Sequence, residues 1–149
     1  MFASQWRMGR DPAALAIRRA VFVEEPGLLE AEVFDASDDY AAQLLVELDG
    51  VPVATARLSP EGSDARLSFV AVLRAYRGQG LGDLCVRQAL YKAQSMHFSR
   101  VFADVPERHA AYYAAFGFRE LYSPEAGIKM SVETDHILWH PPCKADVEK

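Results

Sequence analysis

AVLRAYRGQGLGDLCVRQAL, residues 71–90, places Gly78, Gly80 and Gly82 behind Arg77 and then runs directly into an amphipathic segment. A glycine-rich turn at the mouth of a helix exposes backbone N–H groups that the helix leaves unpaired. The helix dipole adds partial positive charge there, so the guest such a turn suits is an anion, usually phosphate. Upstream, ARLSFVAV (65–72) reads as a strand running into the turn. Downstream, Leu84, Cys85, Ala89, Tyr91 or Lys92, and Met96 recur at three- and four-residue steps, which predicts a helix from Leu81 to near His97 with one buried side.

Working outward, FASQWRM (2–8) has strand character, and Asp11-Pro12 supplies an N-cap and a proline at the first helical position, opening a helix to about Val23 that Pro26-Gly27 ends. The acidic stretch to Tyr40 reads as loop, with room for a short helix. AAQLLVELDGVPVATARLSP (41–60) is a hairpin, because two apolar runs flank Asp49-Gly50, a favoured pair for a tight turn. After the central helix, RVFADV (100–105) is a short strand. ERHAAYYAAF (107–116) is a helix stopped by Gly117, and FRELYS (118–123) with part of IKMSVETDHILWH (128–140) supplies closing antiparallel strands. An antiparallel meander followed by alternating strands and helices gives an α/β (α+β) sheet covered on both faces.

The 149 residues, half of them apolar, suit one core: residues 1–140 as a single domain and 141–149 as a polar, proline-containing tail. No apolar run approaches the roughly 18 residues of a membrane span, and the start lacks the pattern of a signal peptide, so a cytoplasmic protein is expected. Cys85 reads as a small buried hydrophobe and Cys143 sits in the tail; neither has metal-site spacing, and no disulfide is expected. The net charge of −5 argues against nucleic acid as the partner. From Ala20 to Ala56 there is no Lys, Arg or His, while Glu24, Glu25, Glu30, Glu32, Asp35, Asp38, Asp39, Glu47 and Asp49 fall in the same stretch. That half would attract a cation, unless these are only solvated side chains.

Three phosphate sites compete for the glycine turn. A triphosphate loop needs Gly-Lys-Ser/Thr, and no Lys follows these glycines. A dinucleotide fingerprint needs glycine where Asp83 stands, and although Asp104 lies near the distance of a ribose-binding acid, the strand comes too late in the chain to open such a unit. The third is the pyrophosphate of coenzyme A. YRGQGLG resembles the Arg-x-x-Gly-x-Gly loop of GNAT N-acetyltransferases, with Arg77, Gly80 and Gly82 at the motif positions. SFVAV (68–72) resembles that family's fourth strand, and AAYYAAFGF (110–118) the end of its late helix. AIRRAVFVEEPG (16–27) is similar to the ElaA-like branch, with Pro26 where the branch has Gln.

The resemblance implies an acyl-CoA N-acyltransferase fold: a mixed, mostly antiparallel sheet of six to seven strands, helices on both faces, and a splayed central strand pair. It implies acetyl-CoA as co-substrate, without a metal, and a primary amine as acceptor, small-molecule or peptidyl, with the acidic stretch favouring a cationic one. A main-chain N–H around Val70, Ala71 and Val72 would face the thioester oxygen. The turn from Arg77 through Gly78, Gln79, Gly80, Leu81 and Gly82 to Asp83 would wrap the pyrophosphate, Arg77 adding charge. His109 stands where the family often contacts the cofactor through Asn. Tyr113, four residues before Gly117, takes the position beside the sulfur in preference to Tyr112 and would protonate the leaving thiolate. For the base, Glu25 is the first choice and Asp104 the second. A coenzyme A sensor without chemistry and a domain binding NAD or ATP are the rival readings, and a sheet edge with the long tail leaves room for a homodimer.

Overall fold

The computed structural model describes residues 1–121 and 127–139; the tail 141–149, with Cys143, lies outside them. Seven strands form one sheet: β1 (Phe2–Met8), β2 (Ala42–Leu48), β3 (Val51–Glu61), β4 (Asp64–Val72), β5 (Arg100–Val105), β6 (Arg119–Leu121) and β7 (Ile128–Glu133), in the order β1-β2-β3-β4-β5-β7-β6. Only β4 and β5 run parallel, joined through helix α3 (Leu81–Ser95). Every other pairing is antiparallel. This is the expected acyl-CoA N-acyltransferase architecture, its sheet lying between two helical layers.

The front helix, α1 (Pro12–Arg18), starts where the sequence says it should, for the Asp11 carboxylate accepts a hydrogen bond from the Ala14 amide at 3.0 Å. It continues as a π-helical segment, Arg19–Glu24, a wide turn that recurs at functional sites. Ile17 and Val21 pack on Leu45 and Ala71 at one face of the sheet. On the other face Leu81, Cys85, Val86, Ala89, Leu90 and Ala93 of α3 pack on Leu44, Val46, Ala54 and Ala56. Neighbouring residues of β2 such as Leu44 and Leu45 are therefore both buried, one under each layer, which is why that strand reads as an unbroken apolar run. The α3 stripe is corrected at its far end: Tyr91 and Met96 are exposed, and Lys92 lies over the Trp6 ring at 5.8 Å.

The expected late helix is shorter than its sequence pattern. Glu107–His109 forms a 3-10 turn and only Ala110–Ala114, α4, is α-helical. Gly117 ends it at φ +96°, where a Cβ would meet the His136 carbonyl oxygen at 3.0 Å. Of the segment 128–140, Ile128–Glu133 is strand; it enters the sheet between β5 and β6, leaving β6 at the edge.

Candidate functional site

Two distortions open the centre of the sheet. The β4–β5 ladder pairs Ala65 with Val101, Arg66 with Phe102 and Leu67 with Ala103, and there it stops, although β4 runs on to Val72 and β5 to Val105. Within β4 the register against β3 slips by one between Ser68, opposite Arg57, and Ala71, opposite Thr55, so that Phe69 and Val70 together face Ala56. This β-bulge puts Phe69 at φ +53°, a conformation that costs a side-chain-bearing residue on the order of 1–3 kcal/mol.

The splay leaves a cleft of about 250 Å³. Leu67, Ser68, Phe69 and Val70 form one wall, Ala103 and Asp104 another; Pro106, His109 and Tyr113 close the α4 side, and Phe22 reaches in from the π-helical segment. Tyr113 is buried, and among the described residues its hydroxyl has no hydrogen-bond partner. Burial, with a smaller contribution from Cys85, pushes its phenol well above the ordinary tyrosine range, so the proton stays on the oxygen. The neighbouring Tyr112 instead donates its hydroxyl hydrogen to the Asp83 carboxylate. Asp104 stands at the mouth, 69% exposed, and accepts from Arg66 Nη1 at 3.1 Å.

The glycine turn forms a second group of residues, outside this cleft. Gly80 is the N-cap of α3 at φ +81°, and Gly78 also lies at +81°. A Cβ at either would meet nothing within 4 Å, so open space faces the backbone here. Asp83 does not place its charge in that space: the carboxylate is buried, accepts from Arg87 Nε at 2.8 Å and takes the Tyr112 hydroxyl. A glycine-lined turn at a 15-residue helix N-terminus, with its one acid turned inward, fits a bound phosphate.

Arg77 and Glu25 are placed differently from the sequence reading. The Arg77 guanidinium points back from the turn: Nε donates to the Val72 carbonyl at 2.9 Å, and Nη1 and Nη2 donate to the two Glu25 carboxylate oxygens at 3.0 and 2.8 Å. Arg74 adds a longer contact to the same carboxylate at 3.3 Å. The hydrogen bonds from Arg77, against a smaller opposing effect of burial, hold the Glu25 carboxyl below the usual carboxylate range, which makes it a poor base. Thus Arg77 does not offer its charge to the turn. The pair is a strut joining the end of β4, the glycine turn and the segment after α1.

Of the residues singled out from sequence, the cleft brings together Val70, Asp104, His109 and Tyr113. Ala71 and Val72 have side chains in the two cores, Leu81 is core, Gln79 is exposed, and Glu25 stands on Arg77. Sequence reading passed over Phe22, Ser68 and Phe69, and also Arg18 and Arg57. For the arginines there was a signal: Arg57 interrupts the apolar run of β3, and Arg18 lies on the same side of the helix as Ala14 and Val21.

The acidic stretch also reads differently in three dimensions. Asp35 and Asp38 hold Arg57, Asp38 also holds Arg18, Asp39 holds Arg10, Glu30 holds Arg19, and Asp49 holds the N-terminal amine. Most of the charge on which a cationic acceptor was expected is thus paired within the fold, while Glu24, Glu32 and Glu47 are in none of these ion pairs. Among the described residues no group of His, Cys, Asp and Glu has the arrangement of a metal site, and no helix is long and apolar enough to cross a membrane.

Residues 12–118 match the acetyltransferase (GNAT) family. Bacillus subtilis YyaT, itself uncharacterized, is 41% identical over 76 residues, and that match spans 49% of this chain and only 51% of YyaT. A second Bacillus subtilis protein, provisionally named an acetyltransferase, is 32% identical over 111 residues, 71% of this chain and 74% of its own. Among solved structures, an acyl-CoA N-acyltransferase from Pseudomonas aeruginosa superposes with a TM-score of 0.78 at 25% identity, over 88% of this chain and 99% of that one. Escherichia coli ElaA superposes at 0.76 with 22% identity, over 89% and 100%, a likeness of fold.

Proposed function

The chain belongs to the acetyltransferase (GNAT) family, and from that premise we propose that it moves an acetyl group from acetyl-CoA to a primary amine, on a small molecule or a peptide, by direct attack in a ternary complex. One observation carries this reading: Tyr113, whose hydroxyl has no hydrogen-bond partner among the described residues, lines a cleft opened by the parting of β4 and β5.

Acetyl transfer needs a held thioester, a donor for the carbonyl oxygen as charge builds on it, and a hydrogen bond or proton for the leaving sulfur. Amides between Gly78 and Asp83 bind the pyrophosphate in this proposal, since backbone and helix dipole remain once Arg77 is committed to Glu25. A main-chain amide at the β4 end, among Val70 to Val72, faces the thioester oxygen; a donor fixed in place before reaction contributes about 3 kcal/mol to lowering a barrier. The Tyr113 hydroxyl donates a hydrogen bond to the sulfur. Its raised pKa opposes full transfer to an ordinary thiolate, near 8.5, so the proton moves only as far as the apolar walls raise the thiolate too.

For the incoming amine, Asp104 replaces Glu25 as the proposed base, acting through water at the cleft mouth, where it accepts a hydrogen bond from Arg66. The amine enters past Phe22 and Phe69, and no positive charge is required of it beyond its own ammonium. Cys85, a buried cysteine outside any disulfide, suits the reducing cytoplasm in which we place the protein.

The test is calorimetry with acetyl-CoA, coenzyme A, NAD and ATP, followed by thiol release from acetyl-CoA across a panel of primary amines. Heat with acetyl-CoA and amine-dependent release are expected. Binding without release by any amine would replace the transferase with a sensor, and heat only with NAD or ATP would overturn the coenzyme assignment.

A further inference from the structure

Directly behind the Ser68–Phe69 wall of the cleft lies a cluster of buried charge that the proposed reaction does not use. Arg18 Nη1 donates to both Asp38 oxygens, at 2.9 and 3.0 Å, and Nη2 to the Gln43 side-chain oxygen at 2.9 Å. Arg57 Nη1 donates to Asp35 at 2.8 Å and to Asp38 at 3.3 Å, while its Nε donates to the Ser68 hydroxyl at 2.9 Å. Burial alone would raise the Asp38 carboxyl; the hydrogen bonds it accepts, Arg18's first, hold it below its ordinary value, so it stays charged.

Both guanidinium groups lie against one ring. The central carbon of Arg18 is 4.7 Å from the Phe69 centroid and that of Arg57 4.9 Å, and Phe22 meets the same ring edge-on at 5.4 Å. Phe69 is also the residue at φ +53° in the bulge, and Ser68, gripped by Arg57, is the residue before it. A residue in the left-handed region reverses the run of the strand, and relaxation to a regular strand would slip the register by one and turn each following peptide to the other side. Something must hold the ring against that relaxation, and cation–π contacts at these distances do so.

We propose that Arg57 and Arg18 are positioning residues: by clamping Phe69 they fix the bulge that sets which main-chain amide, among Val70 to Val72, meets the thioester oxygen. This rests on the acetyl-CoA reading above. The clamp acts through Phe69 and Ser68 and touches no reacting atom.

A donor placed against a carbonyl oxygen polarises it, and the carbonyl carbon of bound acetyl-CoA, labelled with carbon-13, then resonates downfield of the free compound. The experiment compares that resonance in wild type, Arg57→Met, Phe69→Leu and Phe69→Tyr, with acetyl-CoA affinity measured on the same samples by calorimetry. Wild type and Phe69→Tyr should show the downfield shift. Arg57→Met and Phe69→Leu should each lose more than half of it while binding acetyl-CoA at near wild-type affinity, since the pyrophosphate turn is untouched. Phe69→Leu keeps the arginine network whole, so it tests the clamp even if Arg57→Met fails to fold. A full shift in Phe69→Leu refutes the clamp. Wild type that binds acetyl-CoA without any shift refutes it too, and wild type that does not bind removes the acetyl-CoA reading itself.

Discussion

Replacing Glu25 by glutamine separates a strut from a base. Glu25 and Arg77 are 16% and 20% exposed at the side chain and share two short hydrogen bonds. Exposed ion pairs contribute about 0.2–1 kcal/mol, whereas breaking a fully buried one costs about 3–5 kcal/mol. A pair four-fifths buried, whose loss leaves Arg77 with the Val72 carbonyl, falls between, at about 1–3 kcal/mol. For a chain of this size each kcal/mol moves Tm by about 2–4 °C, so Glu25→Gln should melt roughly 2–12 °C lower at pH 7. The sign with pH follows from the depressed carboxyl. Its contribution is whole above the unfolded value, about 4.3, and is lost as pH falls through the lower folded value, so the two melting curves should converge in acid. Turnover should suffer through acetyl-CoA, as a higher KM with kcat little changed, because the strut sets the glycine turn. Thermal unfolding at neutral and acid pH, with initial rates against acetyl-CoA, reads both effects. If Glu25→Gln melts with wild type while kcat collapses and its acid-side pH dependence disappears, Glu25 is a base and the reasoning fails.

Tyr113→Phe removes only the cleft hydroxyl; kcat should fall by about tenfold to a hundredfold with acetyl-CoA affinity unchanged, and an unchanged kcat on any accepted amine would remove the tyrosine from the mechanism. Gly80→Ala forces a Cβ into φ +81° and puts a methyl in the open space of the turn, so coenzyme A affinity by calorimetry should drop more than the stability loss of about 1–2 kcal/mol accounts for. Tyr112 and Tyr113 both hold their protons more tightly folded than unfolded, Tyr112 through burial and Asp83. Because the unfolded chain ionises first, stability should fall as pH rises past about 10, and Tyr112→Phe should flatten that fall in urea titrations.

Local signals were legible and long-range ones were not. Asp11-Pro12 and Asp49-Gly50 work through atoms within a few residues; Asp49 and Gly50 sit at φ +49° and +83°, the two left-handed positions a tight hairpin wants. The glycine turn and the α3 it opens are local in the same sense. The Glu25–Arg77 strut joins residues 52 apart, and no spacing announces it. Phe69 shows the same limit more sharply: in SFVAV it looks like any strand aromatic, and only the register against β3 and the two arginines from α1 and β3 make it the bend of the site. The placement of β7 between β5 and β6 was likewise invisible, because a pairing order is chosen by which strand covers which edge and not by the strand's own residues.

The acidic stretch carries this furthest toward function. A run of 37 residues without a base reads as a cation-attracting half only while the chain is extended. Folded, Glu25, Glu30, Asp35, Asp38 and Asp39 meet Arg77, Arg19, Arg57, Arg18 and Arg10, each supplied from outside the stretch, which weakens the field that would steer a cation. Several of these acids hold arginines at the sheet centre, two of which end on Phe69. In the proposed reaction, choice among amines would then fall to the shape of the cleft, to Phe22, Phe69 and Pro106 around the exposed carboxylate of Asp104, which accepts from Arg66 at 3.1 Å.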